Sequence, residues 1–254
     1  MTKTVLITGA AKRVGATMAR RFAKDGWHVI IHYGGSRDEA EVLAASLPSA
    51  EAVQCNLADS DASVAMAEAL AARHADWRVL INSASVFEYD GVTNLDTATN
   101  TKAMQINAVT PARMAQAFLS SSRATVGRRV IQITDQKLEN SNPDFFSYTM
   151  SKHALDATIE MLAKGAPRQV DRIYGLAPGA ILASHDQSEA ETEISHRLNP
   201  LQRKTGADEI ADTALFLAMG PLRSGETIFV DSGQHMLDQP RDVIYLAREQ
   251  AQTQ

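Results

Sequence analysis

Seven short apolar runs recur along the chain, at residues 4–8, 28–32, 52–56, 79–82, 130–134, 172–176 and 227–230, and the stretches 14–25, 38–47 and 60–74 carry helical patterns. A helix between two strands is a crossover long enough to bring the second back parallel to the first. The runs are apolar continuously rather than at every second residue, as in Val79-Leu80-Ile81 and Val130-Ile131. Strands of that kind need cover on both sides. The expectation is an α/β fold: a doubly wound, seven-stranded parallel sheet with helices on both faces. Such sheets take ligands beyond the carboxyl ends of their strands, where the strand order reverses.

The 254 residues contain no Pro/Gly/Ser-rich linker and no internal repeat, so one domain over 1–254 is expected. A formal charge of −5 gives no support for a nucleic-acid or anionic-membrane partner. No apolar run approaches the roughly 20 residues that span a bilayer, and the N-terminus enters a strand without a signal-peptide pattern. A cytoplasmic protein with no membrane partner is expected. Cys55 is the sole cysteine, which excludes an intramolecular disulfide and a cysteine metal cluster. His153 and His235 lack partners at metal-ligand spacing and read as surface or interface groups, so no metal is expected. Met104 and Met114 read as helix core.

Thr8-Gly9-Ala10-Ala11-Lys12-Arg13-Val14-Gly15 follows the first run and opens the first helix. Gly9 permits a tight turn and Gly15 lets the helix approach the sheet. The free amides and the helix dipole suit a pyrophosphate. Arg13 stands where a strict G-x-G-x-x-G pattern has its middle glycine. Its charge can meet the phosphates, reach the substrate, or remain part of a solvated Lys-Arg corner. At the end of the second run, NAD-preferring sites place an acid for the ribose 2′-hydroxyl. Here the chain reads His32-Tyr33-Gly34-Gly35-Ser36-Arg37, with no carboxylate before Asp38. That favours NADP(H), whose 2′-phosphate would meet hydroxyl, imidazole and guanidinium groups. Asn56-Leu57 is placed to face the adenine, and Asn82-Ser83-Ala84-Ser85 to run along the ribose and nicotinamide.

Tyr148 and Lys152 lie four residues apart on a predicted helix, so the phenol and the ammonium share a face. A nearby positive charge favours the phenolate, which is expected to bring Tyr148 down from its ordinary value of about 10 and make it a usable proton donor. Asp135 follows the run Val130-Ile131-Gln132-Ile133-Thr134.

In this order the pieces resemble the classical short-chain dehydrogenase/reductase family over nearly the whole chain. Thr8 to Gly15 is similar to the family's T-G-x-x-x-G-x-G turn apart from Arg13, and Asn82 to Ser85 is similar to its N-N-A-G segment. Asn107 resembles its helix asparagine, Tyr148 and Lys152 its catalytic pair, and Pro178-Gly179 its P-G motif, with Ile181 placed to meet the nicotinamide carboxamide. The resemblance implies a Rossmann-type fold and a family role for each matched position, with Gly9, Arg13, Val14, His32, Tyr33, Ser36 and Arg37 toward the cofactor phosphates. Lys152 is implied to bind the nicotinamide ribose and hold the Tyr148 pKa down, and Asn107 to anchor a water of the proton relay. A homotetramer is implied as well, its interface formed in part by the Tyr148 helix.

Two departures, Arg13 and the Asp135 that replaces the family's serine, resemble the pteridine reductase branch, which includes the bacterial dihydromonapterin reductases. Phe87 matches that branch's aromatic residue stacking on a pterin. His32-Tyr33 before Ser36 resembles its second strand end, although Gly35 replaces the expected basic residue and Arg37 lies two positions beyond it. In this reading Arg13 meets both the phosphates and the polar edge of the pterin, and Asp135 bonds Tyr148 and helps protonate a ring nitrogen. The chemistry agrees: a carboxylate repels a developing alkoxide but assists a nitrogen that needs a proton. The rival reading gives the serine's part to Thr134 and turns Asp135 to solvent, at the cost of reversing the side-chain face. It belongs to a small-ketone or sugar reductase; a non-catalytic NADP-binding regulatory protein is the alternative from another class. The substrate loop is expected at 180–198, with Asp186 as a contact. The tail, 238–254, carries no signal that assigns it, and a subunit-interface crossing and partial disorder are both open.

Overall fold

All seven strands form one parallel sheet in the computed structural model, which describes residues 2–183 and 187–251; Asp186 lies outside the described residues. In chain order the strands are β1 (Thr4–Ile7), β2 (His28–Tyr33), β3 (Ala50–Gln54), β4 (Trp77–Asn82), β5 (Arg129–Ile133), β6 (Arg172–Pro178) and β7 (Thr227–Val230). Their spatial order is β3-β2-β1-β4-β5-β6-β7. The chain therefore winds outward from β1 in one direction, returns, and winds outward again from β4. The carboxyl ends of β1 and β4 flank the resulting crevice. β3 starts two residues before the expected run and stops short of its end. There Asn56 leaves the sheet and accepts from the Ala58 N–H in a local turn.

Side-chain alternation explains the apolar strands. Val5, Ile7, Val29, Ile31, Ile131 and Ile133 pack on one face, while Leu6, Ile30, Leu80 and Val130 pack on the other. The first face is covered by α1 (Arg13–Lys24), α2 (Arg37–Ser46) and α8 (Ala207–Ala218), which contribute Met18, Phe22, Leu43 and Ile210. The second is covered by α3 (Ser60–Arg73), α5 (Thr110–Ser121) and α6 (Phe146–Lys164), which contribute Leu70, Met114, Phe118 and Ile159. α4 (Thr97–Met104) packs on α6, and the short α7 (Glu189–Ser195) packs on α9 (Val243–Ala251). Met114 is fully buried, and Met104 is half-buried at the end of α4. No described helix is long and apolar enough to cross a membrane.

The amino ends of β5 and β6 are joined by a buried ion pair. Asp171 accepts from Arg128 Nε at 3.1 Å and from the Arg128 backbone N–H at 2.9 Å, and both side chains are at most 2% exposed. Removing one partner leaves the other charge in the interior. Asp171→Ala should therefore destabilise by about 3–5 kcal/mol in urea unfolding. Glu193→Ala, which breaks exposed pairs with Arg197 and Lys204, should leave the urea midpoint close to wild type.

Candidate active site

The turn after β1 is fitted against the end of β4. The Thr8 hydroxyl accepts from the amides of Ser83 at 2.9 Å and Ala84 at 3.0 Å. Gly9 has φ +66°, and a Cβ there would meet Ala84 Cα at 2.9 Å; only glycine accommodates both conditions. Arg13, the first residue of α1, also takes a left-handed conformation, with φ +54°. An L-residue holds that conformation at a cost of roughly 1–2 kcal/mol. Its guanidinium donates to the carbonyls of Ala183 at 3.0 Å and Leu182 at 3.4 Å. The arginine thus holds the start of the substrate loop over the crevice.

Tyr148 is placed by the N-terminus of α6, which is capped from outside its own segment. Asp90 is buried; its carboxylate accepts from the Ser147 N–H at 2.8 Å, and its carbonyl accepts from the Phe146 N–H at 3.1 Å. A carboxylate at a helix N-terminus is favoured by the dipole. Phe145, just before the helix, has φ +55°, which turns its ring onto Phe87, with centroids 4.0 Å apart and nearly parallel planes. Phe87 in turn meets the Tyr148 ring edge-on at 4.7 Å.

The Tyr148 hydroxyl donates to Asp135 Oδ2 at 2.6 Å. Lys152 Nζ donates to the Ile133 carbonyl at 2.7 Å. Thr134, by contrast, has a buried hydroxyl with no partner, so the arrangement with Asp135 turned away to solvent does not occur. The electrostatics correct one expectation. Tyr148 is not brought down by Lys152: burial first, and then the adjacent Asp135 carboxylate, raise it well above the ordinary phenol value. Burial also raises Asp135, although the Tyr148 hydrogen bond opposes that shift. Lys152 falls to about 8 because its ammonium is desolvated. Tyr148 and Asp135 thus hold a shared proton tightly. A desolvated lysine above the phenol ring, 5.7 Å from its centroid, does not outweigh a carboxylate in direct contact.

These groups open on a cleft of about 690 Å³. Gly9, Arg13, Val14, Ser83, Ala84, Phe87, Asp135, Tyr148, Lys152, Pro178, Gly179 and Ile181 all border it. At Gly179 a Cβ would meet Asp231 Cβ at 2.7 Å, so the P-G turn also has no room for a side chain.

Other expected positions lie elsewhere. His32 is buried beneath the turn: its Nδ1 accepts from the Gly9 N–H at 3.2 Å and its Nε2 faces the Cys55 carbonyl at 3.1 Å. Burial lowers its pKa to about 4, so it is a neutral support for Gly9 and not a charge offered to a phosphate. Asn82 likewise points inward, donating to Gln132 Oε1 at 2.9 Å. Asn107 sits in a π-helical turn, Gln105–Val109, and clamps both backbone groups of Val86. Its third contact is Ser151 Oγ at 3.0 Å; its side chain therefore positions the Phe87 segment. Tyr33, Ser36, Arg37, Asn56 and Leu57 sit at or just beyond the carboxyl ends of β2 and β3, away from the cleft lining. Arg37 there pairs with Glu41. His153 is exposed and meets Ser141, and His235 pairs with Asp231.

The tail forms α9, and its residues Gln239, Asp242, Val243 and Ile244 line a wall of the cleft. Arg241 donates from Nε and from its terminal nitrogen to Asp144. Asp242 meets the buried Lys137 Nζ at 3.1 Å, and Tyr245 stacks on Phe145. Lys137, Gln234, Asp242 and Ile244 border the cleft but carry no local motif.

A family profile described as enoyl-(acyl carrier protein) reductase matches residues 9–235. Among solved structures, the FolM alternative dihydrofolate reductase 1 from Brucella canis, complexed with NADP, is 31% identical with a TM-score of 0.87, over 94% of this chain and 96% of that one. The 3-oxoacyl-[acyl-carrier-protein] reductase FabG of Staphylococcus aureus is 25% identical over 93% of this chain and 99% of its own length. Pteridine reductase 1 of Leishmania tarentolae is 26% identical over 90% and 94% respectively.

The phenol can be titrated directly. The ultraviolet phenolate difference between the wild-type protein and Tyr148→Phe should contain no tyrosine that ionises below the ordinary value of about 10. A phenolate appearing near neutrality in that difference would return control of Tyr148 to Lys152.

Proposed function

The chain belongs to the short-chain dehydrogenase/reductase family, and on that premise we propose that it is an NADPH-dependent reductase of a dihydropterin ring, with dihydromonapterin or dihydrobiopterin as the substrate type. The observation that carries this reading is the 2.6 Å hydrogen bond from the Tyr148 hydroxyl to Asp135, set beside Phe87. The similarity to a pteridine reductase and to an alternative dihydrofolate reductase supports it.

The residues present suit NADP(H). The start of α1 carries no side-chain cap and its residues Arg13, Val14 and Gly15 border the crevice, and the buried Lys152 donates to the Ile133 carbonyl and borders the cleft. Tyr33, Ser36 and Arg37 would take the 2′-phosphate. Arg37 pairs with the exposed Glu41, a solvent-screened contact that a phosphate can displace. When bound, the nicotinamide supplies the hydride. Phe87 provides a flat apolar surface for the pterin, and Arg13 can turn from the loop carbonyls toward its polar edge. The proton for the ring nitrogen comes from the Tyr148–Asp135 pair. Because both groups are raised, the pair retains a proton to give, and Asp135, half-buried at the cleft wall, can be reprotonated from solvent.

The reading includes a cytoplasmic homotetramer. Met150 and Met161 of α6 are exposed, which gives the Tyr148 helix an apolar outer side. The similarity to a 3-oxoacyl reductase makes a carbonyl substrate the competing reading, and the unpartnered Thr134 hydroxyl is the group it would use.

NADPH oxidation should be followed with a panel of dihydropterins beside a panel of small ketones. Asp135→Ala and Tyr148→Phe should each lower dihydropterin turnover by roughly 10²–10⁴-fold, while Thr134→Ala leaves it near wild type. Ketone turnover lost in Thr134→Ala, with inert pterins, would transfer the assignment to a carbonyl reductase.

The pH dependence follows from the same groups. Lys152 is charged below about 8 and neutral above it, and the raised Asp135 loses its proton as pH rises. kcat/KM should therefore fall on the alkaline side with a midpoint at or below about 8. A profile flat through that region would contradict the assignment.

A further inference from the structure

At the opposite edge of the sheet from the cleft, three ligand-type side chains meet. His28 opens β2, Glu51 lies in β3, and His74 caps the end of α3. Their candidate ligand atoms all lie within 4.8 Å of one another, and each residue is half-buried. The two imidazoles are stacked, with centroids 5.2 Å apart and planes 23° from parallel.

An ordinary structural role accounts for two of the three. His74 Nε2 bonds Glu51 Oε1 at 2.7 Å, and this ties the end of α3 to β3. It leaves His28 unexplained: its Nε2 is buried and has no hydrogen-bond partner. His28 Nδ1 lies 2.9 Å from Ser49 Oγ. With Nδ1–H donating to that oxygen, Nε2 keeps its lone pair free for a ligand. A second-sphere bond of this kind fixes the tautomer and orientation of a metal-binding histidine. Arg73 currently pairs with Glu51, but its side chain is 56% exposed and can move into solvent.

We propose that His28, Glu51 and His74 form a binding site for a zinc-type divalent transition metal. Two neutral imidazoles and one carboxylate supply three ligands, and water from the open side completes a tetrahedron. On binding, the metal takes the Nε2 lone pair of His74, whose proton moves to Nδ1, and Glu51 exchanges Arg73 for the ion. The site lies at the amino ends of β2 and β3, so its occupancy is independent of the reductase reading.

Untagged, chelator-stripped protein should be titrated with Zn²⁺ by calorimetry and with Co²⁺ by visible absorption. The expected result is one ion per chain, a tetrahedral Co²⁺ d–d band, and a Tm that rises with Zn²⁺ concentration. His28→Gln removes the unpartnered Nε2 together with the contacts of the ring to Ser49 and His74, so folding is checked before binding is read. It should keep the chelator-treated Tm and circular dichroism while weakening binding by roughly tenfold or more. His74→Gln should do the same to binding. Absence of saturable binding at one ion per chain, or unchanged binding in the His28→Gln/His74→Gln double variant, would overturn the proposal.

Discussion

The Thr8 hydroxyl, accepting from two successive amides at the end of β4, holds the two halves of the sheet together at the point where the chain changes direction. The contact is possible because Gly9 presents no Cβ to Ala84. The glycine turn and the segment after β4 are both referred to this junction. Ser83 and Ala84 continue toward Val86, which Asn107 clamps, and the next residue is Phe87. Even His32, hidden under the turn, acts on it by accepting from Gly9. A buried hydrogen bond left unmade costs about 1–3 kcal/mol, so the junction resists small displacements, and the surfaces it carries keep their spacing.

The pair formed by Tyr148 and Asp135 stands on a second junction. Asp90 caps α6 from a distant loop, and Phe145 bends the chain immediately before the helix. The phenol is therefore fixed from its own helix while the carboxyl is fixed from the end of β5. Two raised acids in contact share a proton that neither surrenders readily to water. That property is the one the proposed dihydropterin chemistry draws on, since a ring nitrogen becomes basic as hydride arrives.

The sheet was legible because each strand declares itself locally: a continuous apolar run needs cover on both faces, and the helical stretches between runs supply it. The spacing of Tyr148 and Lys152 and the identity of Asp135 were equally local. What the sequence withheld was the balance of nonlocal terms. Helical spacing shows that Lys152 is near the phenol, but not that burial and a carboxylate outweigh it. A strand-end histidine reads as accessible until its neighbours cover it, as they do at His32. The tail was unreadable because its partner, Asp144, lies 97 residues before Arg241. His74 and Glu51 are 23 residues apart, too far to form a local metal-binding motif, although neighbouring βα units bring them together.

The docking of Arg241 and Asp242 makes the end of the chain part of the cleft wall. Whatever is joined beyond α9 is mechanically connected to Tyr245 and, through Phe145, to the stacked ring of Phe87. A purification handle at that end is thus a load on the binding surface, and one at the other end is the safer choice for kinetic work.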